Sequence, residues 1–264
     1  MKYLSILLAC ISVTFNCWCS IIESNHIEEI AKYVDNETMV LVDLDNCLYQ
    51  STQALGHSDN FTDLFEQNLS KGMSKEEAIK KVYKTWVKIQ KICNVQPVDK
   101  KFIKLLKSFQ KKNIMVIGLT NRHPCIASAT AKQVKSLNFD FNKTAPKIKN
   151  FSFDFEHLPL YRYGIIFVSD YNKKVDVLMQ FLKHNNLHPK KIVFIDDKFK
   201  NVEEFEISKL EAEYLGVHYT AIKSAKKIYY SDLAGVQLRY LLKNKNCKKI
   251  LSNKEALKWI SSKL

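Results

Sequence analysis

Asp43-Leu44-Asp45 sets two carboxylates two residues apart at the end of an apolar run, MVLVDLDNCL at residues 39–48. Val40, Leu41 and Val42 suit a strand buried on both faces of a parallel sheet. Period-two alternation puts both acids on one side of the chain. Like charges at the end of a buried strand repel each other, and a divalent cation is the usual partner that offsets them. The plainer alternative is a solvated exit from strand to loop, and the surrounding chain has to decide between the two.

Two further strand ends carry chemistry. IMVIGL at residues 114–119 is a second buried strand. It ends in Thr120-Asn121-Arg122, followed by His123-Pro124 and a helix over residues 125–137. Pro124 suits a first helical turn. A hydroxyl, free backbone N–H groups and a guanidinium at a helix start make a ready anion site. Helix capping is the simpler role for Thr120 and Asn121. The third signal is KIVFIDDKFKNVEEF, in which a buried strand ends in Asp196 and Asp197, with Asn201 four residues after Asp197. Between the second and third signals, GIIFVS at residues 164–169 reads as a strand. Lys173 and Lys174 then precede an amphipathic helix whose apolar members are Val177, Leu178, Phe181 and Leu182.

The elements that position these residues alternate, strand then helix, from residue 39 to 222. That pattern predicts an α/β fold: an open parallel sheet with helices on both faces and the working site at the carboxyl ends of the strands. If the strands are neighbours, Asp43, Asp45, Thr120, a lysine and Asp197 converge. Residues 21–33 read as a short leading helix. Residues 49–97 hold a helical insertion, with one helix over residues 59–69 and a second opened by the capping box Ser74 to Glu77. In the second helix Ala78, Val82, Trp86, Ile89 and Cys93 form one apolar face, read as helix packing rather than a ligand box. Residues 99–110 predict a third helix. Phe151, Phe153 and Phe155 alternate with polar residues and suggest a short strand. A last strand is expected near residues 216–222, with terminal helices near 237–242 and 254–259.

Composition limits the function classes. Residues 1–20 read as an export signal: Lys2, an apolar run over residues 3–13, and Cys17 and Cys19 placed as at a cleavage site before Ser20. The run is too short and too polar to span a membrane comfortably, so the mature chain is expected to carry no transmembrane segment. The formal net charge is +14, but lysines are spread along the chain rather than blocked together. Without a nucleic-acid-binding motif, the lysine-rich composition is read as solubilising, and no specific nucleic acid partner is expected. Cys47, Cys93, Cys125 and Cys247 have no zinc-ligand spacing. His184 and His188 lack acidic or Cys companions and read as surface residues.

The order DLDNC, LTNR, a lysine before a helix, then FIDDKFKN resembles the haloacid dehalogenase (HAD) superfamily over roughly residues 39–222. Within it, the chain most resembles an uncharacterised group of exported HAD-like proteins of intracellular bacteria. The resemblance implies a Rossmann-like three-layer core over residues 21–50 and 98–264, with a small helical cap inserted after the first strand over residues 51–97. It also implies an Mg²⁺-dependent phosphomonoester hydrolase acting on a phosphorylated small molecule, exported to the periplasm or beyond. In such an enzyme Asp43 is the nucleophile that forms an aspartyl phosphate. Asp45 is the general acid and then the base. Thr120 bonds the transferred group, and Asn121 and Arg122 touch it or the rest of the substrate. Lys174, with Lys173 as the alternative, stabilises the charge. Mg²⁺ is held by Asp43, Asp45 (through its backbone carbonyl) and Asp197, with Asp196 beside it. A phosphate receiver domain uses similar residues, but there the acidic pair comes first, so that order does not fit. An exported HAD-like binding or effector protein with little or no catalysis is the alternative function.

Overall fold

Val40 and Val42 pack on one side of their strand with Val116, Val193 and Phe102, while Met39 and Leu41 pack on the other with Ile117, Phe194 and Phe181. A strand with apolar partners on both faces has to lie inside a sheet covered on both sides. The computed structural model describes residues 19–148, 151–169, 171–208, 210–244 and 247–262, and in it this strand is the centre of a mixed α/β, Rossmann-like fold.

In chain order the elements are β1 (Cys19–Ser24), β2 (Thr38–Val42), β3 (Tyr49–Ser51), α1 (Ser58–Leu69), α2 (Lys75–Ile92), β4 (Val95–Pro97), α3 (Lys100–Lys111), β5 (Met115–Thr120), α4 (Ala127–Ser136), β6 (Leu160–Arg162), β7 (Ile165–Phe167), α5 (Lys174–His184), β8 (Lys191–Asp196), α6 (Phe199–Glu206), β9 (Glu213–Tyr219), α7 (Ser231–Lys243) and α8 (Asn253–Ser261). Seven strands form one sheet in the order β1-β9-β8-β2-β5-β7-β6. All neighbours are parallel except β6, which runs antiparallel to β7 at the edge. Phe102, Leu106 and Phe109 of α3 and Val134 of α4 cover one face. Val177, Leu178 and Phe181 of α5 and Val202 and Phe205 of α6 cover the other. Among the described residues, no helix is long and apolar enough to cross a membrane.

Two segments differ from their sequence-based expectation. The leading helix over residues 21–33 is instead β1 followed by a 3₁₀ turn, Ile27–Tyr33. Ile21 packs toward one core and Ile22 toward the other, the period-two arrangement of a strand, and β1 pairs with the otherwise open edge of β9. Residues 1–18, most of the expected export signal, lie outside the described residues; Ser20 is already paired with Leu215 in β1. The expected strand around Phe151, Phe153 and Phe155 does not form. Phe151 and Phe153 instead lie with ring centroids 5.8 and 6.4 Å from Phe181 of α5, so aromatic packing replaces a ladder.

Above the strand ends, α1 and α2 form a hairpin. The capping box is present: the Ser74 side chain accepts from Glu77 N, and Ser74 N donates to the Glu77 carboxylate. β3 and β4 form an antiparallel ribbon at the base of the hairpin. The chain's end joins this layer rather than the sheet. Leu241 and Ile250 pack with Leu55, Val82, Trp86 and Ile89. Leu55 N donates to Gln237 Oε1 at 2.8 Å, Ala54 N donates to Asn253 Oδ1 at 2.9 Å, and Tyr229 donates to Asp63.

At Gly216 on β9 a Cβ would come within 2.2 Å of Val202 Cγ1 on α6 and 2.8 Å of the Tyr214 hydroxyl. Gly216→Ala is therefore expected to push α6 from the sheet and cost about 1–3 kcal/mol. Urea unfolding of both proteins measures this, and an unchanged midpoint would contradict the close approach.

Candidate active site

β2 ends at Val42 and the chain turns sharply. Leu48 N–H and Tyr49 N–H both donate to Leu44 O at 3.0 Å. Asn46 takes φ 61°, in the left-handed region that Asn tolerates better than most residues. Asp43 N–H donates to Ile195 O at 2.9 Å, which ties Asp43 to the end of β8 beside Asp196.

Lys174, the first residue of α5, is buried with its ammonium between two carboxylates. Its Nζ donates to Asp43 Oδ1 at 2.5 Å and to Asp196 Oδ2 at 2.6 Å. Lys173, one residue earlier, is exposed. Asp196 is fully buried and also accepts from Lys198 N at 2.8 Å and from Asn201 Nδ2 at 3.0 and 2.9 Å. Those contacts account for the roughly four lone-pair sites of a carboxylate. Asp197 completes the group: one oxygen from each of Asp43, Asp196 and Asp197 lies within 4.8 Å of the others.

Two of the three carboxylates contact Lys174 and Lys198 lies near the third, so formal negative charge still exceeds positive charge. Burial, reinforced by the neighbouring acids, pushes Asp43 up to about 7 and Asp197 up to about 8. Burial alone would lower the Lys174 pKa, but the charges of Asp196 and Asp43 outweigh it and hold the amine above its ordinary value, as an ammonium. A cluster of hard oxygen donors with surplus negative charge fits a hard divalent cation such as Mg²⁺. With Asp196 saturated by nitrogen donors, Asp43 and Asp197 are the carboxylates best able to ligate one.

Asp45 faces elsewhere. Arg122 donates to both its oxygens, Nε to Oδ2 at 2.6 Å and Nη2 to Oδ1 at 2.8 Å. Burial would raise the Asp45 pKa, but the Arg122 charge and hydrogen bonds outweigh it and hold the carboxyl below its ordinary range. Arg122 is itself buried. Its Nη1 donates to Thr130 Oγ1 at 3.0 Å and to Gln133 Oε1 at 2.7 Å. Gln133 Nε2 then donates to Gln90 Oε1 at 3.0 Å, and Gln90 Nε2 donates to Gly56 O at 3.1 Å. A continuous buried polar chain therefore runs from Asp45 through α4 to α2 and the turn below α1.

The structure thus brings Asp43, Lys174 and Asp196 into contact and sets Asp197 beside them. The Asp45 side chain lies outside the carboxylate cluster, which leaves only its backbone carbonyl for a metal role. Thr120 ends β5, and its hydroxyl accepts from Arg122 N at 3.3 Å. Asn121 Oδ1 is buried and has no hydrogen-bond partner among the described residues. All of these except Asp196 line a cavity of about 260 Å³ that continues to Phe61, Tyr83 and Trp86 of the hairpin. Sequence reasoning missed Thr130, Gln133 and Gln90, and assigned Asn201 no role. The available signal was polar side chains, Thr130 and Gln133, on the face of α4 that had to be buried.

The family model described as protein of unknown function, DUF2608, matches residues 23–257, and the chain belongs to that family. A Chlamydia pneumoniae protein named "putative outer membrane protein" is 30% identical over 96% of this chain and 94% of its own length. A Chlamydia trachomatis protein of the same name is 28% identical, covering 89% and 88%. An uncharacterised Rickettsia prowazekii protein is 25% identical over 75% of each chain. No solved structure matches the chain.

Asp43 and Asp197 have folded-state pKa values near 7 and 8, above the unfolded value of 3.8, so the folded protein holds more protons between those limits. Their stabilising contribution is complete below the unfolded value and is lost as pH rises through 7 to 8. In EDTA, stability is expected to fall between about pH 4 and 8, and Mg²⁺ is expected to flatten the profile. Urea midpoints across that range measure it, and a rise in EDTA would reject the uncompensated cluster. Separately, Gln133→Leu removes acceptors and donors from the buried chain and should cost about 1–3 kcal/mol in the same assay; no loss would show the chain to be energetically idle.

Proposed function

We propose that this DUF2608 member is a Mg²⁺-dependent phosphomonoester hydrolase of haloacid dehalogenase type, working through an aspartyl phosphate on a phosphorylated small molecule. The observation that carries the reading is the meeting of Asp43, Asp196 and Asp197 at the carboxyl ends of β2 and β8, with Lys174 between them.

Asp43 attacks phosphorus through a carboxylate oxygen, and the bond from phosphorus to the leaving oxygen breaks. Asp45 supplies the proton to that oxygen. It then takes a proton from the water that attacks the aspartyl phosphate, which releases phosphate and restores Asp43. Lys174 lies against Asp43 and balances the charge on the transferred group. Asp196 holds Lys174 in place and is held in turn by Asn201. The Thr120 hydroxyl donates to a phosphoryl oxygen, and Asn121 lines the cavity beside it. Mg²⁺, held by Asp43, Asp197 and the Asp45 carbonyl, would neutralise charge on the phosphoryl oxygens.

Arg122 enters this scheme differently from the substrate contact suggested by sequence. Its bidentate hold keeps Asp45 ionised, which suits the base step. The acid step requires Asp45 to take up a proton while Arg122 keeps Thr130 and Gln133 as acceptors. That clamp is also the observation favouring the second reading, an exported HAD-like binding or effector protein with little catalysis. An exported location, periplasmic or secreted, is supported by the apolar run over residues 3–13 and by the outer-membrane names of the Chlamydia relatives.

Hydrolysis of p-nitrophenyl phosphate should require Mg²⁺, stop in EDTA and fall to background in Asp43→Asn. Asp45→Asn should lose roughly 10²–10⁴-fold. A folded, monodisperse protein without turnover on any divalent metal would move the reading to the binding protein.

A further inference from the structure

The cavity has two chemically different ends. At the sheet it is walled by carboxylates and Lys174, and at the hairpin by Phe61 of α1 and by Tyr83 and Trp86 of α2, with Ile126 below them. The Phe61 ring lies 5.3 Å from Trp86 at an interplanar angle of 68°, and 5.3 Å from Tyr83 at 58°. The three rings therefore form a tilted wall instead of a closed stack. Trp86 belongs to the apolar cluster of the hairpin and Phe61 and Tyr83 pack against it, yet all three also line the cavity. Val82 and Ile89 bury the side of α2 turned toward the terminal helices, with Leu64 and Phe65 of α1 in the same cluster. Phe61 and Tyr83 stay only half-buried beside the cavity. Apolar ring surface left facing water in a cleft is unfavourable, and a bound apolar group would cover it.

Size narrows the occupant. About 260 Å³ lies just below the roughly 300–1,000 Å³ of sites for drug-sized ligands, so room remains for a phosphoryl group and little more than one ring. A flat ring meets tilted aromatic walls in the offset or edge-to-face geometries that aromatic pairs prefer.

We propose that the hairpin end is a ring-binding subsite, and that the preferred substrates are small phosphomonoesters carrying a single aromatic ring beside the phosphate. This rests on the phosphohydrolase reading above, because the acidic end is what anchors the phosphoryl group. Trp86 then has two roles, packing α2 against the terminal helices and presenting one side to the substrate.

Binding of phosphonates tests this without needing turnover. Phenylphosphonate, cyclohexylphosphonate and methylphosphonate carry the same head group, and calorimetry with the full chain in Mg²⁺ reads their affinities. Phenylphosphonate should bind roughly tenfold or more tightly than methylphosphonate, with cyclohexylphosphonate between them. That ratio should collapse toward one in Phe61→Leu. Tyr83→Leu, at the edge of the wall, provides a second reading if Phe61→Leu does not fold. Equal affinities for the three phosphonates, or a ratio kept in the folded variants, overturns the ring subsite while leaving the phosphate site standing. Binding of none of them overturns the phosphate site and the ring subsite with it.

Discussion

Lys174 sits with its ammonium between Asp43 and Asp196, all three nearly or fully buried, and much of the surrounding structure follows from that arrangement. A buried charge without partners is too costly to keep, so the site holds together only while each member has an opposite charge or a donor. β2 and β8 have to be adjacent for Asp43 and Asp196 to share one amine, and α5 has to start where its first residue reaches both. Asp196 is matched by Lys174, Lys198 N and Asn201, whereas Asp197 is left over. Burial, with the neighbouring carboxylates adding to it, raises the pKa values of Asp43 and Asp197.

A second constraint joins the sheet to the layer above it. Arg122 is fixed by Asp45, Thr130 and Gln133, and Gln133 is fixed by Gln90 on α2. Each member of this chain has its partner, the condition under which a buried polar network rigidifies a structure rather than weakening it. The hairpin is held again from its other side by α7 and α8, through Gln237, Asn253 and the apolar contacts of Leu241 and Ile250. The layer that closes the cavity is therefore built from two distant stretches of sequence. Grouping the chain's end with the sheet, as sequence order alone suggests, misses this.

Legibility tracked the physical range of each interaction. Strands such as 114–119 and 191–195 were readable because their residues are apolar on both faces whatever their neighbours. The α2 start was readable because a capping box is made within four residues. Residues 21–24, expected to begin a helix over 21–33, suit a helix or a strand equally, and only the free edge of β9 selects the strand. The Phe151 to Phe155 alternation was misread because side-chain packing on Phe181 can satisfy aromatic residues without a ladder.

The sequence by itself determined the alternation of elements, hence the α/β class, and the placing of acids, a hydroxyl and lysines at strand ends. These are local consequences of side-chain period and chain direction. Only the tertiary structure decided which groups meet. Strand order chose Lys174 over Lys173, since a helix's first residue and the one before it point in different directions. It also turned the Asp45 carboxylate to Arg122 and away from the acidic cluster, and brought the rings of the hairpin over the strand ends. Those outcomes depend on contacts between residues tens to over a hundred positions apart, which no local pattern encodes.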